Sequence, residues 1–348
     1  MRVLNKKNVD DALEYGGAID AIEKAFVKFE EKKANVPARN VIRNDLGATL
    51  FMPARLESEE SSSIGIKIVS VRSKNADKNL PTVPATVIIM DDVTGMTKAI
   101  MEGTELTCVR TASGSAVATK YLSREDSSVL SVFGCGNQGR AHVISICHVR
   151  QKINKVVLWN RTISKAHELA KYLIENKDDR WPFLFSDNTK SDSVDGKRVV
   201  RITVESDADA AANCADIICT TTDASKPFFT SDSVKPGTHL NCVGSYRLDM
   251  QEVESELVKK SKVVADDSEH VWSESGDVNT PKDQDLITKN HIICNVGKLV
   301  IDGPSGVRTN DQDITLYKSV GSAFMDIAVA DLVVNNADRE NIGQIVDF

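Results

Sequence analysis

The chain has 348 residues, of which 41% are hydrophobic and 27% charged, and its formal net charge is −7. This composition is that of a globular protein, and the length predicts two domains of about 100 to 200 residues each. The negative charge argues against general binding to nucleic acid or to an anionic membrane. No apolar run reaches the roughly 18 residues of a membrane span, and the first residues lack the apolar stretch of a secretory signal, so a cytoplasmic protein is expected.

The seven cysteines are an odd number, and their spacing shows neither a CxxC pair nor a Cys/His metal pattern. We expect reduced thiols that pack as small hydrophobic side chains, and no metal site. The six histidines are expected to have structural or surface roles.

The first third of the chain predicts helices followed by a sheet. Apolar residues recur at helical spacing over residues 8–33, which indicates one or two amphipathic helices ending near Pro37. An alanine- and threonine-rich helix is expected over residues 104–122. Between these helices, short β-prone runs predict an antiparallel or mixed sheet. The runs are 49–52, 64–71, 86–90 and 99–101.

From residue 129 onward, strands alternate with helices, which is the order of a doubly wound parallel sheet. The expected strands are 129–133, 155–159, 199–204, 217–220, 239–243 and 262–265, and the expected helices are 138–149 and 164–176. The polar stretch 187–197 predicts a surface excursion. Residues 314–336 have helical periodicity without strand-like alternation, which predicts a helix packed on the first domain.

These patterns together predict an α/β fold in which a Rossmann dinucleotide-binding domain is inserted into a discontinuous α+β domain. The α+β domain is placed at residues 1–124 and 305–348, and the Rossmann domain at residues 125–304.

The strongest motif follows the first strand of the predicted parallel sheet and opens a helix, which is the context a phosphate-binding GxGxxG loop requires. It reads Gly134, Cys135, Gly136, Asn137, Gln138 and Gly139. Gly134 permits the tight turn, Gly136 lets the backbone approach a pyrophosphate, and Gly139 lets helix and strand pack closely. Backbone N–H groups and the positive end of the helix dipole then bind the pyrophosphate. The motif predicts a nicotinamide dinucleotide cofactor.

The end of the second parallel strand bears on which dinucleotide binds. An NAD enzyme usually places Asp or Glu there against the ribose 2′-hydroxyl, whereas this chain has Asn160, Arg161 and Thr162. Arg161 can pair with a 2′-phosphate, with Asn160, Thr162 and Lys165 as further donors. NADPH is therefore predicted over NADH. The alternative is that Arg161 is a solvated surface charge.

Three threonines end the fourth parallel strand: Thr220, Thr221 and Thr222. Ligands of open α/β sheets lie at that carboxyl edge, so these hydroxyls are candidate cofactor contacts. Threonine also commonly ends a strand without such a role.

Three cations lie in unusually apolar surroundings: Arg39, Lys67 and Arg110. A buried charge needs a partner, because its desolvation is costly. Two arginines can clamp a substrate carboxylate, and a desolvated lysine can shift its pKa and transfer a proton. Internal ion pairs with carboxylates would explain the same pattern, and the spacing does not separate the two interpretations.

Nine short segments resemble the ornithine cyclodeaminase and mu-crystallin family, and the likeness covers nearly the whole chain. They are Pro37-Ala38-Arg39, Gly65-Ile66-Lys67, Pro81-Thr82-Val83, Arg110-Thr111-Ala112, Gly134 to Gly139, Trp159-Asn160-Arg161-Thr162, Asn241-Cys242-Val243-Gly244, Glu274-Ser275-Gly276-Asp277-Val278 and Lys318-Ser319-Val320-Gly321. The resemblance implies a homodimer in which the discontinuous domain binds substrate and dimerises, with the substrate pocket between it and the Rossmann domain.

The resemblance also implies roles for single residues. Arg39, Lys67 and Arg110 match the family's substrate-binding cations, and Glu269 matches a pocket acid of the mu-crystallin branch. The positions that match cofactor contacts are Thr82, Cys135 to Gln138, Asn160 to Thr162, Thr220, Val243 and Ser319.

One departure from the family pattern bears on the reaction. Cyclodeaminases carry a catalytic Asp shortly after the Asn-x-Val-Gly strand, and this chain has Tyr246 there. Asp249, three residues further on, is the alternative acid, and its use would require a shift in the register of the strand end. A phenol with a pKa near 10 handles protons poorly at neutral pH. The chain is therefore similar to the branch that reduces cyclic imines.

The resulting hypothesis is that NADPH delivers hydride to the C=N carbon of a cyclic imine carboxylate. Arg39 and Arg110 would hold the carboxylate, and Lys67 would polarise or protonate the imine, with Glu269 as a second candidate acid. The alternatives are an ornithine cyclodeaminase with tightly held NAD, an amino-acid or opine-type dehydrogenase, and a non-catalytic NADPH-dependent small-molecule binding protein.

Overall fold

The computed structural model describes residues 1–59, 62–78, 80–176, 178–187 and 191–347. The chain divides into two compact units, of which the first comprises Met1–Arg110 and Ser322–Phe348 and the second Thr111–Gly321. The first unit is therefore discontinuous in sequence. The domain boundaries expected from the sequence, after residue 124 and before residue 305, fall inside the second unit.

The strands and helices have the following bounds. The strands are β1 (Arg2–Leu4), β2 (Ala34–Asn35), β3 (Asn40–Asn44), β4 (Gly47–Leu56), β5 (Ser63–Val71), β6 (Ala85–Asp91), β7 (Thr97–Glu102), β8 (Val129–Phe133), β9 (Lys155–Trp159), β10 (Phe183–Ser186), β11 (Ser193–Val194), β12 (Lys197–Val204), β13 (Ile217–Thr220), β14 (His239–Cys242), β15 (Lys262–Ala265), β16 (Ile292–Asn295), β17 (Thr315–Lys318) and β18 (Gln344–Ile345). The helices are α1 (Lys6–Ala12), α2 (Tyr15–Glu30), α3 (Thr104–Leu122), α4 (Asn137–Val149), α5 (Ile163–Glu175), α6 (Ala208–Asn213), α7 (Ser255–Lys260), α8 (Ser268–Glu274), α9 (Gly276–Asp283), α10 (Val296–Asp302) and α11 (Ala323–Glu340).

The first unit is a mixed sheet covered by helices. Strands β4 to β7 pair antiparallel in sequence order, whereas β1 pairs parallel with β7. Alternate residues of β5 are buried, and these are Gly65, Lys67 and Val69. Helices α2 and α11 pack together, and α11 lies against β4, β5 and β6. Lys67 therefore belongs to the covered face of the sheet, where only a paired charge is tolerated.

The first five residues of helix α11, Ala323 to Ile327, are all buried, as expected where a helix enters a core. Phe324 stacks on Phe29, with 4.7 Å between ring centroids, and also contacts Phe26. Within this buried segment, the Asp326 side chain is also completely buried. The helix thus carries one carboxylate into the core of the first unit.

The second unit is the doubly wound parallel sheet that the sequence predicts. Its strand order is β10-β12-β9-β8-β13-β14-β17-β15-β16, and these neighbours all pair parallel. From β8 the chain builds outward through β9 and then, after β12, continues on the other side of β8 with β13. This reversal is a topological switch point, and a ligand of such a sheet binds beside it at the carboxyl ends of the strands.

The expectation for residues 314–336 is partly wrong. Thr315–Lys318 is a strand that pairs with β14 and β15 in the second sheet, and the helix begins only at Ala323. All four residues of β17 are buried, so the strand lacks the alternation that would have identified it. Helix α11 itself packs within the first unit, as expected.

The polar stretch 187–197 includes residues 188–190, which lie outside the described residues. Its end contains β11, which pairs antiparallel with β12. The seven cysteines form no disulfide bond with one another. In the described part of the chain, no helix combines the length and the apolar character required to cross a membrane.

Candidate active site

The glycine loop between β8 and α4 has the geometry of a phosphate cradle. Gly134 has a φ of 100°, which favours glycine. A Cβ at Gly139 would overlap the carbonyl oxygen of Gly134, so the turn closes only with glycine there. A Cβ at Gly136 would meet nothing within 4 Å, so the protein itself does not require glycine at this position. The open space above Gly136 is what an approaching pyrophosphate needs.

Two further features of the loop fit a dinucleotide. The N-cap of α4 is Gly136, which has no side chain to bind the first N–H groups of the helix. Within the described structure, the Oε1 atom of Gln138 is buried and has no hydrogen-bond partner. Burial raises the pKa of the Cys135 thiol to about 12, so this cysteine is a neutral packing group beside Gly136.

The end of β9 is tied to the glycine loop. The Asn160 side chain accepts a hydrogen bond from the Cys135 backbone N–H at 3.0 Å and donates one to the Thr162 carbonyl oxygen at 3.0 Å. Arg161, Thr162 and Lys165 are exposed. Three donors therefore lie on the solvent side of the loop that Asn160 anchors, where the ribose end of a dinucleotide is expected.

Thr221 holds the opposite side of the glycine loop. Its hydroxyl donates to the Gly134 carbonyl oxygen at 2.9 Å, and its backbone N–H donates to the Phe133 carbonyl oxygen at 2.8 Å. A Cβ at Gly134 would lie 2.8 Å from the Thr221 carbonyl oxygen. The end of β13 therefore packs directly on the cradle.

Other residues expected to contact the cofactor are already engaged within the second unit. Thr220 is completely buried, and its hydroxyl donates to Glu252 at 2.7 Å. The Ser319 hydroxyl donates to Asp266 at 2.6 Å. The Val243 backbone N–H donates to the Thr220 carbonyl oxygen at 3.0 Å. These residues lie at the carboxyl edge of the sheet, and the three hydrogen bonds named here are all to other protein groups.

The first unit brings two of the predicted cations onto one carboxylate. The Lys67 Nζ atom lies 2.8 Å from Asp326 Oδ1, and the Arg110 Nε atom lies 2.8 Å from the same oxygen. Lys67 is 1% exposed, Arg110 6% and Asp326 0%. Two buried cations therefore share one buried anion, which leaves an excess of positive charge.

The surroundings of Lys67 tune its acidity. Burial, with the neighbouring charge of Arg110, lowers the pKa of Lys67 to about 8, although Asp326 opposes this change. The charge of Arg39 also lowers it, which places Arg39 within electrostatic reach of the same group. All three predicted cations thus act on one locus, and its lysine exchanges a proton close to neutral pH.

Two polar atoms of this cluster remain available to a bound molecule. Arg110 Nη1 and Asp326 Oδ2 are buried without a hydrogen-bond partner among the described residues. Buried polar groups are rarely left unsatisfied, and exceptions are common at functional sites. The free guanidinium donor suits a carboxylate.

Asp326 is the important residue that the sequence interpretation missed. It stands in the apolar run Ala323-Phe324-Met325-Asp326-Ile327, where a carboxylate needs a cationic partner. A single acidic residue within this apolar run is the sequence signal that could have identified Asp326. Its partners lie far away in sequence, so the run alone does not identify them.

The remaining predicted positions lie elsewhere. Glu269 is in the first turn of α8 in the second unit, and its exposed carboxylate pairs with Lys289 at 2.7 Å. Thr82 is exposed in the first unit. Tyr246 is partly exposed in the loop after β14. Asp249 pairs with Arg247 at 2.9 Å, and this hydrogen bond lowers the Asp249 pKa, which suits a general acid poorly.

Comparison with known proteins gives consistent matches. The family model described as "Ornithine cyclodeaminase/mu-crystallin family" matches residues 1–179 and 187–341. A Delta(1)-pyrroline-2-carboxylate reductase of Bacillus cereus is 33% identical over 347 residues, which are 99% of this chain and 97% of that protein. An alanine dehydrogenase of Archaeoglobus fulgidus is 30% identical over 346 residues, covering 99% of this chain and 98% of its own.

A solved structure extends the match to the fold. It is the Delta(1)-pyrroline-2-carboxylate reductase of Thermococcus litoralis in complex with NADH and L-proline. The TM-score is 0.88 and the sequence identity 32%, over 99% of this chain and 100% of that one. The likeness therefore includes both units.

Proposed function

Because the chain belongs to the ornithine cyclodeaminase/mu-crystallin family, we propose that it is an NADPH-dependent reductase of cyclic imine carboxylates. It is an NAD(P)H-dependent oxidoreductase of the class that acts on C=N and CH–NH bonds. The proposed substrates are five- or six-membered ketimines, such as pyrroline-2-carboxylate or piperideine-2-carboxylate, and the products are the cyclic amino acids. The observation that carries the proposal is the buried Lys67, held with Arg110 against Asp326.

Substrate binding is assigned to the excess positive charge of this cluster. Asp326 neutralises only one of the two cations that contact it, and Arg110 Nη1 is a buried donor without a partner in the described structure. A ligand carboxylate would supply the missing acceptor and the missing negative charge. Arg39, whose charge acts on Lys67, is proposed as the second carboxylate-binding cation.

The proton is assigned to Lys67. Reduction of an imine adds a hydride to carbon and a proton to nitrogen, so an acid beside the nitrogen lowers the barrier. An ammonium group with a pKa of about 8 is mostly protonated at neutral pH and still releases its proton readily. The exposed Glu269, paired with Lys289, has no comparable environment and is the less suitable acid.

The glycine loop is proposed to hold the dinucleotide, with its pyrophosphate at the N-terminus of α4. When bound, this cofactor supplies the hydride that adds to the C=N carbon. Asn160 keeps the loop and the end of β9 together, and Thr221 supports the loop from β13.

The preference for NADPH is assigned to Arg161, with Thr162 and Lys165 beside it. Replacing Arg161 with alanine is expected to raise the NADPH dissociation constant about 10- to 100-fold, because a charge-assisted contact is worth about 1.5–3 kcal/mol. NADH affinity should change little. Fluorescence titration with both cofactors measures the difference, and Lys171→Ala, an exposed change on α5, is the control. An equal loss for both cofactors would remove Arg161 from 2′-phosphate recognition.

The reaction itself is tested by following NADPH and NADH oxidation with a panel of substrates. The panel contains five- and six-membered cyclic ketimine carboxylates, pyruvate with ammonium, and ornithine. Turnover confined to the cyclic ketimines supports the proposal. Dinucleotide binding without turnover of any substrate would favour a binding protein.

An open-chain amino-acid dehydrogenase is the second candidate, supported by the match to the Archaeoglobus fulgidus alanine dehydrogenase. Turnover of pyruvate with ammonium in preference to the ketimines would establish it. Ammonia release from ornithine without net use of cofactor would instead indicate a cyclodeaminase, which the ion-paired Asp249 and the Tyr246 substitution disfavour.

A homodimer is proposed from the exposed edge of the first unit. Strand β3 is exposed at all five residues, and its Ile42 is 63% exposed, as is Leu46 in the turn that follows the strand. Apolar side chains on an edge strand are typical of a surface that pairs with another chain. Ile42→Lys is expected to shift the protein towards monomer in analytical ultracentrifugation, whereas Lys24→Glu on the exposed side of α2 should not. A wild-type monomer at micromolar concentration would contradict the proposal.

A cytoplasmic location is proposed because none of the seven cysteines is in a disulfide bond, and disulfides are rare where thiols are kept reduced.

A further inference from the structure

The carboxyl edge of the second sheet contains a buried carboxylate that the proposed reaction does not use. Glu252, in the loop between β14 and α7, is completely buried. Its Oε1 atom accepts hydrogen bonds from the Thr222 backbone N–H and from the Thr222 hydroxyl, both at 2.7 Å. Its Oε2 atom accepts bonds from the Thr220 hydroxyl and the Gly244 backbone N–H, again both at 2.7 Å. One carboxylate therefore binds four donors.

These donors belong to the ends of two neighbouring strands. Thr220 is the last residue of β13, Thr222 follows two positions later, and Gly244 lies two positions after the end of β14. A Cβ at Gly244 would overlap both the Thr222 carbonyl oxygen and the Glu252 carboxylate, so the two loops and the acid are in close contact. Between Thr220 and Thr222 lies Thr221, whose hydroxyl donates to the Gly134 carbonyl oxygen.

Glu252 is itself held by a second buried pair. Its backbone N–H donates to Asp277 at 2.7 Å, and Asp277 pairs with Lys318 at 2.9 Å. Lys318 is completely buried at the end of β17, and Asp277 is 1% exposed. Such a network is costly to desolvate, and it is tolerated because its members satisfy one another.

We propose that Glu252 is a positioning residue for the dinucleotide site. It fixes Thr220 and Thr222, and through the intervening Thr221 it fixes the carbonyl of Gly134 in the glycine loop. The buried Thr220 hydroxyl, expected from the sequence to contact the cofactor, instead serves this internal arrangement. The inference rests on the proposed use of the glycine loop for the dinucleotide.

The direct test is Glu252→Gln, which preserves shape and removes two acceptor positions. A glutamine NH₂ group cannot accept a hydrogen bond, so either the Thr222 pair or the Thr220 and Gly244 pair would lose its acceptor. NADH binding, measured by fluorescence titration without substrate, is expected to weaken about tenfold, because the strand ends that support the glycine loop would no longer be held in one arrangement.

A matched control separates positioning from general stability. Asp216 also holds backbone donors, the Ser128 and Val129 N–H groups at 2.9 and 3.0 Å, but at the start of β8 rather than at its carboxyl end. Asp216→Asn is expected to lower the melting temperature while leaving the NADH dissociation constant within about twofold of the wild type, because the change lies at the opposite end of the strand.

Two further variants keep the proposal testable if Glu252→Gln does not fold. Thr222→Val and Thr220→Val each remove one hydroxyl donor and should weaken NADH binding in the same direction by a smaller factor. Unchanged NADH affinity in the glutamine variant, or in both valine variants, overturns the proposal. An equal loss in Asp216→Asn overturns it as well. The NADH titration contains no imine. A protein that binds NADH but reduces no imine would therefore contradict the proposed reaction and leave the conclusion about Glu252 unchanged.

Discussion

Lys67→Met is expected to lower kcat for cyclic imine reduction about 10³-fold, within the range by which a general acid accelerates a reaction. The methionine retains most of the buried apolar stem but has no proton to donate. The NADPH dissociation constant should stay the same, since the glycine loop and Arg161 belong to the second unit. Stopped-flow measurement of hydride transfer, with fluorescence titration of the cofactor, checks both parts.

The wild-type pH profile gives an independent measure of the same group. Since the Lys67 pKa is about 8, the protonated fraction falls as the pH rises through that value. The rate of imine reduction should therefore decline as the pH rises above about 8. Oxidation of the cyclic amino acid needs Lys67 as a neutral amine that accepts a proton, so its rate should rise through the same pKa. In Lys67→Met, neither the rate of imine reduction nor the rate of amino-acid oxidation should show this change with pH.

Two controls define the role of Lys67 further. Lys67→Arg keeps a positive charge beside Asp326 but cannot release a proton at neutral pH, so its kcat should also be low. Lys24→Met removes an exposed lysine of the same unit and should leave kcat unchanged. Normal turnover in Lys67→Met would remove this residue from the chemistry.

The second large effect is expected for Asp326→Asn. The Asp326 carboxylate raises the Lys67 pKa against the lowering effects of burial, Arg110 and Arg39. Without it, the Lys67 pKa should fall below 8, and the decline of imine reduction should move to lower pH. Loss of the shared anion also leaves two buried cations unpaired, which costs on the order of 3–5 kcal/mol of stability.

Asp338→Asn is the matched control for that variant. Asp338 lies on the same helix α11 and pairs with Arg2 at 2.7 Å, but its side chain is 56% exposed. Its loss should leave the pH profile unchanged and alter stability by less than about 1 kcal/mol. Urea denaturation measures the free energies of unfolding. An Asp326→Asn profile that still declines at the wild-type pH would show that Asp326 does not set the Lys67 pKa.

The alternation of strands and helices after residue 129 could be predicted from the sequence, because each strand is a short apolar run bounded by turns. The predicted strands Val129–Phe133, Lys155–Trp159 and Ile217–Thr220 have those bounds in the structure. Strand β17 was not predicted from the sequence, because it is buried on both faces and is followed closely by α11. Two- and three-residue strands such as β1 and β2 carry no periodic signal, since they span less than one full alternation.

The residue types of the site could be recognised locally. The GxGxxG spacing reflects backbone requirements within six residues, and the cations stood out because their neighbours are apolar. The partners could not be recognised in this way. Asp326 meets Lys67 across 259 positions of sequence, and Lys318 meets Asp277 across 41. Local patterns contain no information about such pairs, because strand register and helix packing create them.

Sequence alone therefore predicted a glycine loop for a dinucleotide, a parallel sheet and three cations suited to an anionic substrate, and the parallel sheet is confirmed. The folded structure added the carboxylate that two of those cations, Lys67 and Arg110, share. Packing α11 over the buried face of β5 places Asp326 between Lys67 and Arg110, and the low polarity there lowers the lysine pKa to about 8. A pKa of that kind depends on desolvation and on the distances between charges, and both exist only after distant segments have packed together.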